Sequence, residues 1–233
     1  MDLQTNQFEK KFTSKTYRFF NTLYKLLVIN IMTVIACLPV ITIFPMIVAD
    51  VATIKNDFEQ TNIFKALFKN FKKYFFKSFK MGISLFVVYA AGLYAVYFWS
   101  TATTESKTID IIMQIAVVVI PVCLLMFTFM IVHIPLLLIT FEKLDNYEIF
   151  KTALFVAIRY FITTLIMLFT VLFVIGMLVM CMVVPGMLSV WMIIGISLPM
   201  YLAVKVTVPV YYKFAKIDFK KIEELVEEEL TNE

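Results

Sequence analysis

Residues 111–140 read IIMQIAVVVIPVCLLMFTFMIVHIPLLLIT, thirty positions with no aspartate, glutamate, lysine or arginine. The run is solid rather than alternating. A β-barrel strand would show alternation over about 10 residues. A membrane-spanning helix needs about 20 consecutive apolar residues, so this stretch is a span with length to spare. Pro121 and Pro135 lie inside it. It should be tilted or kinked, or its end should project into the cytoplasm.

Working outward, further apolar runs occupy about 19–49, 81–100, 158–184 and 187–212. The 233-residue chain is 61% hydrophobic and 16% charged, with net charge +4 and mean hydropathy +0.88. Soluble domains run near 45–50% apolar and about 25% charged. No soluble fold of this length hides so much apolar surface. With only five Gly and seven Pro, the spans should be mostly continuous helices. The expected fold is an all-α polytopic transmembrane helical bundle. It divides into an N-terminal segment (1–18), a transmembrane domain (19–212) and a C-terminal tail (213–233). The basic stretch before the first run is long and no A-x-A-like site follows it, so that run reads as a retained membrane segment rather than a cleaved signal.

Lysine and arginine counts set the orientation. Residues 1–25 carry five: Lys10, Lys11, Lys15, Arg18 and Lys25. Segment 50–80 carries seven, 101–110 only Lys107, 141–160 three (Lys143, Lys151, Arg159), and the Val184–Met187 turn none. From residue 50 onward the chain alternates inside and outside. A single span at 19–49 would break that alternation, because both of its flanks are basic. Pro39 and Pro45 each remove a backbone donor. They suggest a helix at about 19–38, a turn near Pro39 and a second helix at about 40–56. That second piece either crosses or is re-entrant, with irregular backbone buried in protein. Both readings place the two termini in the cytoplasm. A five-span chain with its N-terminus outside is the third.

Residues 63–82 read IFKALFKNFKKYFFKSFKMG. On a helical wheel Phe64, Leu67, Phe68, Phe71, Phe75 and Phe79 share one face. Lys65, Lys69, Lys72, Lys73, Lys77 and Lys80 share the opposite one. This is the pattern of an amphipathic helix, with Thr61 or Asn62 as its N-cap. Beside a span, such a helix over 63–80 reads as interfacial, its lysines meeting anionic headgroups. No nucleic-acid readout module accompanies the charge. The tail pairs Lys213, Lys216, Lys220 and Lys221 with Glu223, Glu224, Glu227, Glu228 and Glu229, a second surface helix.

Ionisable groups at membrane depth are functional candidates because each is costly there. His133 is the only histidine. Lys205 lies late in the last run and can snorkel. Asn30 is placed to bond another helix. Asp50 ends the second hairpin piece and could pair with Lys25 or Lys205. Gln114 is near the outer end of its span. Cys37, Cys123 and Cys181 read as buried free thiols, since no Cys/His cluster suggests a metal or a disulfide framework. No acidic pair, phosphate-binding loop or nucleophile motif is present. Neither catalysis nor a cofactor is expected.

The stretch from Asn30 through Leu38-Pro39-Val40-Ile41-Thr42-Ile43-Phe44-Pro45, Ala49 and Lys55 to the Phe/Lys segment ending at Phe79 resembles the YesL-like family. These are small bacterial membrane proteins of unknown function. That family shows a Pro-x-x-Thr-x-Gly-Pro turn, a small residue soon after, and a Phe/Lys-rich lead into the next span. Pro39, Thr42 and Pro45 match, and Phe44 replaces the Gly. The motif likeness covers about residues 20–85. It implies association with carbohydrate ABC-type uptake, with permease subunits as partners. An alternative reading is a small solute or lipid transporter lined by Asn30, His133, Lys205 and the Pro39–Pro45 break.

Overall fold

A computed structural model describes residues 15–102, 107–142 and 144–213. The chain is all-α, with no strand among the described residues. Its helices are α1 (Lys15–Ala36), α2 (Ile43–Ala52), α3 (Ile63–Thr101), α4 (Lys107–Ile131), α5 (Ile134–Thr140), α6 (Asn146–Arg159), α7 (Phe161–Val183), α8 (Met187–Ile194) and α9 (Ser197–Lys213). A 3-10 turn (Val40–Thr42) precedes α2, and a π turn (Thr53–Asp57) follows it. Most of the N-terminal segment and the tail helix expected after Lys213 lie outside the described residues.

Four stretches are long and apolar enough to cross a membrane: Thr16–Ala36, Ile63–Thr101, Thr108–Thr140 and Phe161–Val183. A fifth is α8 with α9, bent by 41° at the break between them. The most apolar window of α4–α5 has no buried residue. A face that apolar is covered by lipid, not water. The protein is a multi-pass helical membrane protein.

The second hairpin piece is helical over the range expected, as the 3-10 turn, α2 and the π turn that continues it to Asp57. Helix α2 has 10 residues and the π turn adds five, together about 20 Å of rise, short of the roughly 30 Å hydrocarbon core. Of the two readings of 40–56, its length suits the re-entrant one. Nor is 63–80 a separate surface helix. It is the first half of α3, a single helix of 39 residues, about 58 Å long. The uncharged second half, 81–101, is already long enough to cross. Helix α2 runs antiparallel along the lysine-bearing half. Phe44 abuts Gly82, Met46 and Ala49 cluster with Leu67, and Asn70 bonds the π turn.

That packing divides α3 into three faces rather than two. Ile63, Ala66, Leu67, Asn70, Tyr74 and Ser78 form the buried stripe. Phe64 and Phe68 stay about half exposed (52% and 53%), while Phe71, Phe75 and Phe79 are half-buried. Asn62 is the cap, its Oδ1 accepting from Lys65 N at 3.0 Å.

The short helices α5 and α2 are the most enclosed. Every residue of α5 from Ile134 to Ile139 is buried, as are Val48, Ala49, Val51 and Ala52 of α2. Long helices surround them, with outer faces open to lipid. Between such helices apolar burial gives little driving force, so close packing and hydrogen bonds hold the bundle. Helix α6 lies in the basic segment 141–160 that the charge count places inside. Its start is marked by Asp145, whose backbone N–H donates to Glu148 Oε2 at 3.0 Å. Ile149, Ala153, Val156 and Ala157 form its buried stripe.

Candidate functional site

The Pro39–Pro45 turn closes α1. The Thr42 hydroxyl reaches the Ala36 carbonyl and lies 2.6 Å from Pro39 O, while Thr42 N donates to Pro39 O at 2.9 Å. A Pro-x-x-Thr spacing thus satisfies carbonyls that the helix end would leave bare. Pro45 is buried in the first turn of α2, where a missing N–H costs nothing. Phe44, standing for the glycine of the resembled motif, fills the space beside α3. A Cβ built on Gly82 would lie 2.9 Å from Phe44 Cβ, so the small residue required at this contact sits on α3 instead.

Asn30 is fully buried, and every polar valence of its side chain is used. Nδ2 donates to Trp191 O (2.9 Å) and Met192 O (2.8 Å). Oδ1 accepts from Ile196 N (2.8 Å) and Ser197 N (3.1 Å). These four groups flank Gly195, where α8 breaks before α9. One side chain therefore serves Met192 O, Ile196 N and Ser197 N at the break and adds a second donor to Trp191 O, which also accepts from Gly195 N at 2.8 Å. This is more than the single interhelical bond the sequence suggested.

One turn along the same face of α1 sits Thr33, absent from the sequence-derived candidates. Its Oγ1 lies 2.7 Å from Ile29 O and 2.8 Å from Asp50 Oδ2. Asp50 is wholly buried, and its Oδ1 has no partner. The suggested pairing of Asp50 with Lys25 or Lys205 is not made. Lys25 Nζ donates to Phe58 O at 2.6 Å and lies 5.5 Å from the Phe58 ring centroid. Lys205 is exposed, 4.5 Å over the Tyr201 ring. The geometry of α1 explains both outcomes: Thr33 faces α2 at the level of Asp50, whereas Lys25 lies two turns away at the level of Phe58.

His133 is also wholly buried and joins three elements. Nε2 shares a hydrogen bond with Thr164 Oγ1 (2.8 Å), and Nδ1 shares one with the Tyr211 hydroxyl (2.5 Å). It stands at the α4–α5 break, with Pro135 in the first turn of α5. This is the hydrogen-bonded structural placement. Nothing brings His133, Lys205 and Asn30 together around one path. Gln114 donates to Asp110 Oδ2 at the exposed start of α4.

The lysine row divides by partner. Lys65, Lys69, Lys72 and Lys80 point outward. Lys73 Nζ lies 2.6 Å from Glu142 Oε1, which also accepts from the Tyr74 hydroxyl. Lys77 Nζ donates to Glu142 O (2.9 Å) and Leu144 O (2.7 Å). Two of the six lysines thus clip the α5–α6 connection. Lys73 and Tyr74 hold the Glu142 carboxyl below its usual range. Lys55, half-buried, donates to Thr140 Oγ1 at 2.8 Å. Burial lowers its ammonium more than the nearby Glu142 charge raises it.

None of the three thiols is fully buried in the protein. Cys123 is exposed, while Cys37 and Cys181 are half-buried, and all are free. Among the described residues no group of three or more His, Cys, Asp or Glu could hold a metal ion. An apolar groove of about 540 Å³ runs between α7 and α9, lined by Leu165, Phe169, Phe173, Leu198, Leu202 and Val206 among others.

Residues 26–98 match a family described as protein of unknown function, DUF624. The match covers less than a third of the chain and spans Asn30, Thr33, Asp50 and the Pro39–Pro45 turn. It is consistent with the YesL-like resemblance without establishing that narrower name. No curated protein and no solved structure matches this chain.

Proposed function

We propose that the protein is a non-enzymatic subunit of a bacterial cytoplasmic-membrane assembly, accessory to carbohydrate uptake of the ABC type, with both termini in the cytoplasm. One observation carries the docking half of this reading. No residue from Leu168 to Val190 is buried, so most of α7 is left open on its outer surface by its own chain. Together with the α7–α9 groove it offers an intramembrane surface that a permease helix would fit. The outward lysines of α3 supply a cytoplasmic surface for anionic headgroups at roughly 1 kcal/mol each. The carbohydrate link rests on the family resemblance alone.

A photo-crosslinking residue at Phe169 or Phe173 tests this reading. Capture of a permease-type membrane protein supports it; adducts confined to lipid refute it. A second reading, a small transporter, is favoured by the Asn30-bridged break between α8 and α9, because broken helices mark binding sites in transporters. Solute flux in proteoliposomes that is unchanged by Asp50→Asn, His133→Ala and Lys205→Ala would refute it.

A further inference from the structure

We propose that Asp50 is a proton-binding site: its carboxyl is seated as a neutral acid against Thr33 in the folded protein, so that a proton is the ligand of the α1–α2 hairpin. This goes beyond both functional readings and fails independently of them. The reasoning is a count of hydrogens. Thr33 Oγ1 is close to two acceptors at once, Ile29 O at 2.7 Å and Asp50 Oδ2 at 2.8 Å. A hydroxyl has one proton to give. A helical threonine commonly points its hydroxyl at the carbonyl four residues back, and Thr33 has that geometry. The short contact to Asp50 then needs a hydrogen from the other side. A protonated Oδ2 supplies it, donating to Thr33 Oγ1, which donates onward to Ile29 O.

The surroundings give a carboxylate no other support. Asp50 is wholly buried, and Oδ1 accepts from nothing. A buried charge left unpaired is far more costly than a bare neutral carbonyl oxygen. The ionisable groups of the packed elements are few and engaged elsewhere. On α1, Lys25 holds Phe58 O, and the Cys37 thiol is the titratable neighbour of Asp50. In the π turn, Asp57 accepts from Asn70 and Lys55 binds Thr140. On α3 the facing polar residue is neutral Asn70, and α5 carries no charge. The site also lies close along α1 to the bent α8–α9 joint. Asn30, one turn along α1, holds the α8–α9 break together. Loss of the proton would place an unpaired charge beside that joint.

The test is linkage between folding and pH. An acid protonated when folded and ionised when unfolded takes up one proton on folding. Such a group stabilises fully below its unfolded value of about 4, and that stability is lost as pH rises toward the folded value. Comparing wild type with Asp50→Asn in detergent between pH 5 and 7 isolates it. The wild-type folding constant, relative to the variant, should fall about tenfold per pH unit. A ratio that does not change with pH would overturn the proposal. So would one that moves the other way, which would mean the folded carboxylate is ionised. A second measurement needs no folded Asp50→Asn protein. Infrared spectra of wild type at neutral pH should show a carboxylic-acid C=O band, shifted by Thr33→Val. Absence of that band, or a band insensitive to Thr33, would equally overturn the proposal.

Discussion

Replacing Asn30 with leucine should be among the most damaging single changes in this protein. Leucine has the same number and branching of side-chain heavy atoms, so the shape is nearly kept, but four hydrogen bonds vanish at once. Met192 O, Ile196 N and Ser197 N lose their Asn30 partner at the break, and Trp191 O keeps only Gly195 N. Net hydrogen-bond contributions run about 0.5–1.5 kcal/mol each in proteins. Interhelical bonds within membranes average about 0.6 kcal/mol. Four bonds therefore predict a loss of about 2–6 kcal/mol. Asn30→Asp keeps both acceptors, loses both donors and introduces a charge, so it should be no milder. Reversible unfolding by SDS in mixed micelles, followed by far-UV circular dichroism, measures the loss. Gln114→Leu is the control: that amide bonds only Asp110 at an exposed helix start, and its change should stay within about 0.5 kcal/mol. A loss below about 1 kcal/mol for Asn30→Leu would refute the view that this side chain joins α8 to α9.

Gly82→Ala should destabilise by about 1–3 kcal/mol through overpacking against Phe44. Phe44→Ala should relieve part of that loss, and a double-mutant cycle in the same unfolding assay would read the coupling. His133→Leu strips the ring partner from the Tyr211 hydroxyl, while Thr164 Oγ1 keeps Ala157 O at 3.1 Å, and should lose about 1–3 kcal/mol for the one hydroxyl left unsatisfied. Glu142→Gln removes an exposed ion pair and should change stability by less than about 1 kcal/mol at neutral pH. Because Lys73 and Tyr74 depress the Glu142 carboxyl, its contribution is present above the unfolded carboxylate value and is lost as pH falls through the folded one. Wild type and Glu142→Gln should therefore converge in acid.

The membrane class was legible because composition leaves lipid as the only adequate solvent for these runs. Apolar runs located the spans from residue 81 onward. The proline pair located the end of α1, and Asn62 the start of α3. The interior arrangement was not legible. The Phe and Lys wheel of 63–80 was real, but the stripe that packs is Ala66, Leu67, Asn70, Tyr74 and Ser78, chosen by the nearness of α2. Helix α6 could have been found from its Asp145-x-x-Glu148 cap and the spacing of Ile149, Ala153 and Val156. Thr33 carried a weaker signal, three residues after Asn30 and so on the same face. Ser197 and Tyr211 carried none, since only the fold brings them to Asn30 and His133.

Topology is tested by single cysteines at Glu59, Ala102, Glu142 and Gly186 in a background with Cys37, Cys123 and Cys181 replaced by serine. Labelling uses a membrane-impermeant thiol reagent on intact bacterial cells. A re-entrant hairpin followed by four crossings predicts that Ala102 and Gly186 label in intact cells. Glu59 and Glu142 should label only after permeabilisation. Labelling of Glu59 together with Ala102, or of Glu142 together with Gly186, would contradict the multi-pass arrangement.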